Sequence, residues 1–114
     1  MKILHRAEQI RDYIIKVRRF FHKNPEPSWG EYGTTAFIVK ELKAMGLHYK
    51  LFEKTGVISN LKEDNFRHTV ALRADMDALS IAENSDRDYC SSNGFMHACG
   101  HDVHMAMLLG AAKI

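Results

Sequence analysis

Cysteine is scarce, with only Cys90 and Cys99 in 114 residues. A single possible pair makes no disulfide framework, so free thiols in a reducing compartment, the cytoplasm, are expected. The opening residues, MKILHRAE, have no apolar secretory core behind the lysine. Long hydrophobic runs are missing too. The longest mostly apolar stretch free of charge and proline is residues 103–112, well short of the ~20 residues a membrane span needs. Charge of one sign is also lacking. Sixteen Lys and Arg against fourteen Asp and Glu leave a net charge of +2, which argues against nucleic acid or anionic lipid as a partner. What remains is an ordinary globular balance, 46% hydrophobic and 26% charged, in one domain's length of chain. Such a chain buries roughly 65% of its extended surface, a core without much margin.

Periodicity predicts a first amphipathic helix over residues 4–22, with Ile10, Ile14, Val17 and Phe21 on one face. Arg11, Lys16, Arg18, Arg19 and Lys23 fall on the other side among Glu8 and Asp12. They read as a solvated surface, with an anion-binding patch as the alternative. Asn24-Pro25-Glu26-Pro27 ends that helix. A second helix is expected over residues 31–45, closed by Gly46 in a left-handed cap. Alternation at Leu47, Tyr49 and Leu51 predicts a half-buried strand, and residues 57–61 a second. Residues 62–65 form a polar turn. The short apolar run at 69–72 has the pattern of a strand covered on both faces. A last helix is expected over 103–114. Helices flanking strands in this order indicate a layered α/β domain.

The densest chemistry lies in Met96-His97-Ala98-Cys99-Gly100-His101-Asp102-Val103-His104. Cys and His one residue apart on an extended segment point to the same side and can reach one ion or two adjacent ions. A thiolate with an imidazole suits Zn, Mn, Co or Ni. A Cys–His nucleophilic pair is the other option. Asp102 can cap the last helix or hold the far nitrogen of a ligating histidine. His104, one turn on, reads as packing or as support behind a ligand. Arg73-Ala74-Asp75-Met76-Asp77 follows the expected buried strand. Asp75 and Asp77 there serve turn chemistry, or a cation that also neutralises the thiolate. Pro25-Glu26-Pro27-Ser28-Trp29 reads as a rigid turn.

Four segments now stand in order: RRFFHKNPEPS from Arg19, TGVI from Thr55, ALRADMDAL from Ala71 and MHACGHDVHMAMLLGAAK from Met96. Together they resemble the N-terminal part of the M20 family of metallopeptidases and amidohydrolases, closest to the branch that hydrolyses hippurate and other N-acyl amino acids. That resemblance implies a partial three-layer α/β/α catalytic domain over residues 1–114, with no second domain present. It implies a hydrolase of amide bonds that holds two divalent ions, acts on a small N-acyl amino acid and is often homo-oligomeric at full length. Cys99 and His101 map onto metal ligands. Asp75 and Asp77, and with them Asp102 and His104, map near the ligands without being ligands. The remaining ligands and the general base map onto no residue of this chain. Ser80 stands where the family usually has proline, and the loop over 89–97 is a residue shorter than usual.

Two expectations compete. The chain is either the N-terminal piece of such an enzyme, inactive alone, or a non-catalytic remnant that binds a metal or a partner through exposed apolar surface. In both, an uncovered sheet edge makes the isolated chain marginal or prone to aggregate.

Overall fold

A computed structural model of the chain describes residues 2–61 and 67–114. The elements run α1 (Lys2–Gln9), α2 (Arg11–Lys23), α3 (Tyr32–Ala44), β1 (His48–Leu51), β2 (Val57–Asn60) and α4 (His101–Lys113). The single helix expected over 4–22 is therefore two helices joined at Ile10. Hydrogen bonds from Ile10 N–H to Arg6 O and from Ile14 N–H to Ile10 O carry the chain across the joint. No residue of α1 is buried, so packing fixes only α2.

The apolar face read from the sequence is the core face of α2. Val17 and Phe21 pack with Ile38 and Leu42 of α3 and with Met105, Ala106 and Leu109 of α4. Burying a side chain such as Phe21, 1% exposed, contributes about 2–3 kcal/mol. Gly110 lets α4 approach α2 closely, since a Cβ there would sit 3.0 Å from Ile14 Cδ1. Phe37 stacks on Phe20 with ring centroids 3.8 Å apart and meets Phe21 edge-on.

Helix α3 ends as expected. Gly46 has φ of 72°, and Leu47 N–H bonds Leu42 O while Gly46 N–H bonds Lys43 O, a left-handed cap that satisfies the last carbonyls. The strands pair antiparallel, His48 opposite Asn60 through Leu51 opposite Val57. The hairpin is clasped to the start of α3 by Thr55 Oγ1 donating to Glu31 and Gly56 N–H donating to Thr35 Oγ1.

The strand expected at residues 69–72 is not there, because that segment has no regular structure. Val70 is 84% exposed and Leu72 68%. A strand covered on both faces needs ladder partners and helices above and below. Among the described residues β1 and β2 pair only with each other. The turn expected at 62–65 lies outside the described residues. Among those described, no helix is long and apolar enough to cross a membrane.

Candidate metal centre

Three segments distant in sequence meet ahead of α4. Leu79 and Met96 exchange both backbone hydrogen bonds, each at 3.0 Å, which ties the RADMDAL segment to the MHACGHD segment. Next to Leu79, Ala78 N–H donates to Glu26 O at 2.8 Å. Glu26 in turn holds the start of α3, where its carboxylate accepts from Gly33 N–H, Thr34 N–H and Thr34 Oγ1. Helix α3 has no side-chain cap of its own, so Glu26 caps it from outside. Asn93 Nδ2 donates to Pro25 O from the other side. The Pro-Glu-Pro turn is thus a clamp that seats residues 77–79.

His101 opens α4, and its Nδ1 lies 2.9 Å from the Asp77 carbonyl oxygen and 3.1 Å from Asp77 Oδ1. With two acceptors facing it, Nδ1 is the nitrogen that donates, and in the neutral ring the lone pair then sits on Nε2. That is how a carboxylate prepares an imidazole to ligate a metal. Cys99 is exposed. The intervening Gly100 has φ of 91°, so Cys99 and His101 flank a left-handed turn instead of the extended segment expected. Such a turn favours glycine, because any Cβ is strained there.

The other expected residues disperse. Asp75 is exposed and bonded to the exposed Arg73 at 2.7 Å. Among the described residues no hydrogen bond or ion pair joins it to Cys99 or His101. His104 is exposed as well, its ring 6.2 Å from that of His101, and it is no part of the buried core among the described residues. Asp102 is fully buried and faces away from His101, toward α2.

Sequence reasoning missed what Asp102 meets. His22 Nδ1 lies 2.7 Å from Asp102 Oδ2, and His22 Nε2 lies 2.5 Å from Glu83 Oε1. Arg18 Nε approaches Asp102 Oδ2 at 2.9 Å, and Asp102 Oδ1 accepts Val103 N–H. The partners are 80 and 61 residues apart, and no spacing rule links them. Only the acidic cluster 75–83 and the quoted segment at Arg19 hinted at them. Burial alone would raise the Glu83 pKa. Hydrogen bonds from the Cys90 thiol, His22 and Ser91 N–H outweigh it and bring the carboxyl down to about 2. The Cys90 sulfur also lies 3.3 Å from the Ser91 carbonyl. His97 is buried with neither ring nitrogen hydrogen-bonded among the described residues, and burial pushes its pKa below the ordinary imidazole value.

The donor chemistry fits a divalent ion. An accessible thiol at Cys99 lies two positions along the chain from an imidazole whose far nitrogen is fixed, and the His97 imidazole lacks partners among the described residues. The number of donors does not make a closed site. Among the described residues no three of His, Cys, Asp and Glu gather into a group able to hold a metal ion. Two donors fit a share of a centre.

The model of peptidase family M20/M25/M40 matches residues 71–114. The chain is 43% identical to thermostable carboxypeptidase 2 of Saccharolobus solfataricus, over 99% of its own length and 30% of that protein's. It is 48% identical to the N-acetyl-L-cysteine deacetylase of Bacillus subtilis, over 87% of its length and 24% of the relative's. A solved Bacillus subtilis structure, a dinuclear metal binding peptidase from the M20 family, superposes with a TM-score of 0.87 at 37% identity. That match covers 93% of this chain and 30% of the other. The chain therefore spans about 30% or less of the length of these relatives. Its helices and hairpin reproduce that share of an α/β fold, and the shared backbone and sequence identity make the chain similar to that share of the M20 family of peptidases.

Proposed function

We propose that this chain supplies the thiolate–imidazole share of the divalent-metal centre of an amidohydrolase that cleaves N-acyl amino acids or similar conjugates. The observation that carries the reading is the double hold of Asp77 on His101 Nδ1, which makes Nε2 the nitrogen available to an ion, two positions along the chain from the exposed Cys99. A bound divalent ion (Zn, Mn, Co or Ni, two of them in the family) supplies Lewis-acid polarisation of the amide carbonyl and a water of lowered pKa. Cys99 and His101 hold and orient, and Asp77 fixes the imidazole tautomer. The names of two relatives, a carboxypeptidase and an N-acetyl-L-cysteine deacetylase, support release of an amino acid as the reaction class. Two free cysteines fit a reducing, cytoplasmic setting.

The resemblance maps the general base onto no residue here, so the chain alone is expected to release no amino acid from N-acetyl amino acids. Elemental analysis after dialysis against Zn or Mn tests the ligand assignment. Wild type retains metal, and Cys99→Ser with His101→Ala loses it. Equal stoichiometry overturns the ligand assignment, and metal-dependent turnover by the 114-residue chain overturns its need for further residues. A second reading, a non-catalytic partner-binding remnant, is favoured by the exposed Val70 and Leu72. Turnover restored by a longer polypeptide that carries this chain would refute it.

A further inference from the structure

His22 is an α2 residue that makes no hydrogen bond or ion pair with Cys99 or His101 among the described residues, yet its imidazole is buried between two carboxylates. One of them, Asp102, is the neighbour of His101 in the first turn of α4. We infer that His22 is a positioning residue for the His101 imidazole and acts through Asp102. The buried Glu83–His22–Asp102 chain fixes the roll of α4 about its axis, and with it the bond from His101 Nδ1 to Asp77. Gly100 provides no side-chain cap to α4, so Asp102, on the Val103 N–H and on α2, is the anchor of that first turn.

Adjacent helix residues leave the axis about 100° apart, so locking position 102 inward sets where position 101 exits. A roll of roughly 20° carries a ring atom about 5 Å from the axis by about 2 Å. That exceeds what the 2.9 Å contact to the Asp77 carbonyl can absorb. Glu83 holds the far side of His22 and is itself fixed by Ser91 N–H at 2.6 Å. The ring therefore cannot swing away from Asp102 without breaking a second buried bond.

The inference rests on the proposed metal-ligand role of His101 only for its functional meaning. Its test needs no metal. Nitrogen-15 NMR of the His101 ring, recorded well above the ordinary imidazole pKa, reads the tautomer directly in the 114-residue chain. Two variants each keep one of the two bonds. His22→Asn places an amide nitrogen about where Nδ1 stands and keeps the Asp102 bond. His22→Gln places one about where Nε2 stands and keeps the Glu83 bond. Wild type and His22→Asn are expected to show the Nδ1–H form. His22→Gln is expected to show a mixture dominated by Nε2–H, although each variant loses one bond to a carboxylate, with His22→Gln also losing the 3.2 Å contact to Arg18 Nη2. A merely structural role would move both equally. Equal patterns in the two variants, or an Nδ1–H form retained in His22→Gln, overturn the inference. If His22→Gln fails to fold, Asp102→Asn takes its place. Its amide nitrogen cannot accept from Arg18 or His22, so the same mixture is expected, and a retained Nδ1–H form overturns the inference. A separate Co(II) titration tests the ligand role, and its failure would leave the tautomer result standing.

Discussion

Removing the Glu26 carboxylate should loosen α3 and the seat of the site together. Glu26→Ala strips three hydrogen bonds from the start of α3, those of Gly33 N–H, Thr34 N–H and Thr34 Oγ1. A lost helix cap costs about 0.5–2 kcal/mol. The charge at the positive end of the helix adds about 0.3–1 kcal/mol. Thr34 is buried, and its orphaned hydroxyl adds about 1 kcal/mol or more. The expected loss is about 2–4 kcal/mol, a large fraction of the ~5–15 kcal/mol that holds a domain together. In urea, with a slope of about 2 kcal/mol per molar, the midpoint should fall by about 1–2 M. Glu26→Gln keeps one acceptor oxygen and should lose about half as much. A loss below about 0.5 kcal/mol in Glu26→Ala, the size of a neutral surface change, would refute the clamp.

The remaining predictions follow from the same geometry. Glu83 has a folded pKa lowered from 4.5 to about 2. Its contribution to stability is therefore complete above about pH 4.5 and lost as pH falls toward 2. Acid unfolding followed by circular dichroism should show less loss across that window in Glu83→Gln than in wild type, and an identical slope would contradict the assignment. Asp77→Ala removes the Oδ1 contact to His101 Nδ1 and keeps the backbone-carbonyl one, and should weaken divalent-ion affinity about tenfold, read by competition with a chromophoric chelator. Unchanged affinity would remove Asp77 from the site. Tyr13→Phe deletes the 2.8 Å bond to Glu41 and should cost about 1 kcal/mol by urea titration, with a gain in stability as the contrary result. Val70→Lys with Leu72→Lys should shift the chain toward monomer on size exclusion. No change would mean that this exposed apolar run does not drive association.

Local features were legible in the sequence, and long-range ones were not. The apolar face at Val17 and Phe21 and the glycine cap at Gly46 follow from residue spacing and backbone sterics within a few positions, and both formed as read. The strand read at residues 69–72 failed because an apolar run records only a need for cover. Whether ladder partners exist is decided by other segments, and among the described residues β1 and β2 pair only with each other. Asp77 beside His101 was anticipated as a cation or turn residue, but the bond to Nδ1 depends on the Leu79–Met96 pairing. Asp102 was assigned a cap or a ligand-holding role. It does accept Val103 N–H in the first turn, but its other partners, Arg18 and His22, come from a helix some eighty residues earlier, where they read as solvated charge and helix end. Glu26 looked like turn filler because its work is done on backbone N–H groups at Gly33 and Thr34, which carry no signature of their own.

The account stands on Cys99 and His101 gripping one divalent ion together. Titrating the purified chain with Co(II) and reading near-ultraviolet absorption tests that most directly. A thiolate-to-cobalt charge-transfer band that saturates in wild type, vanishes in Cys99→Ser and weakens in His101→Ala is the expected result. A band that survives Cys99→Ser, or that never forms in the folded wild-type chain, would contradict it.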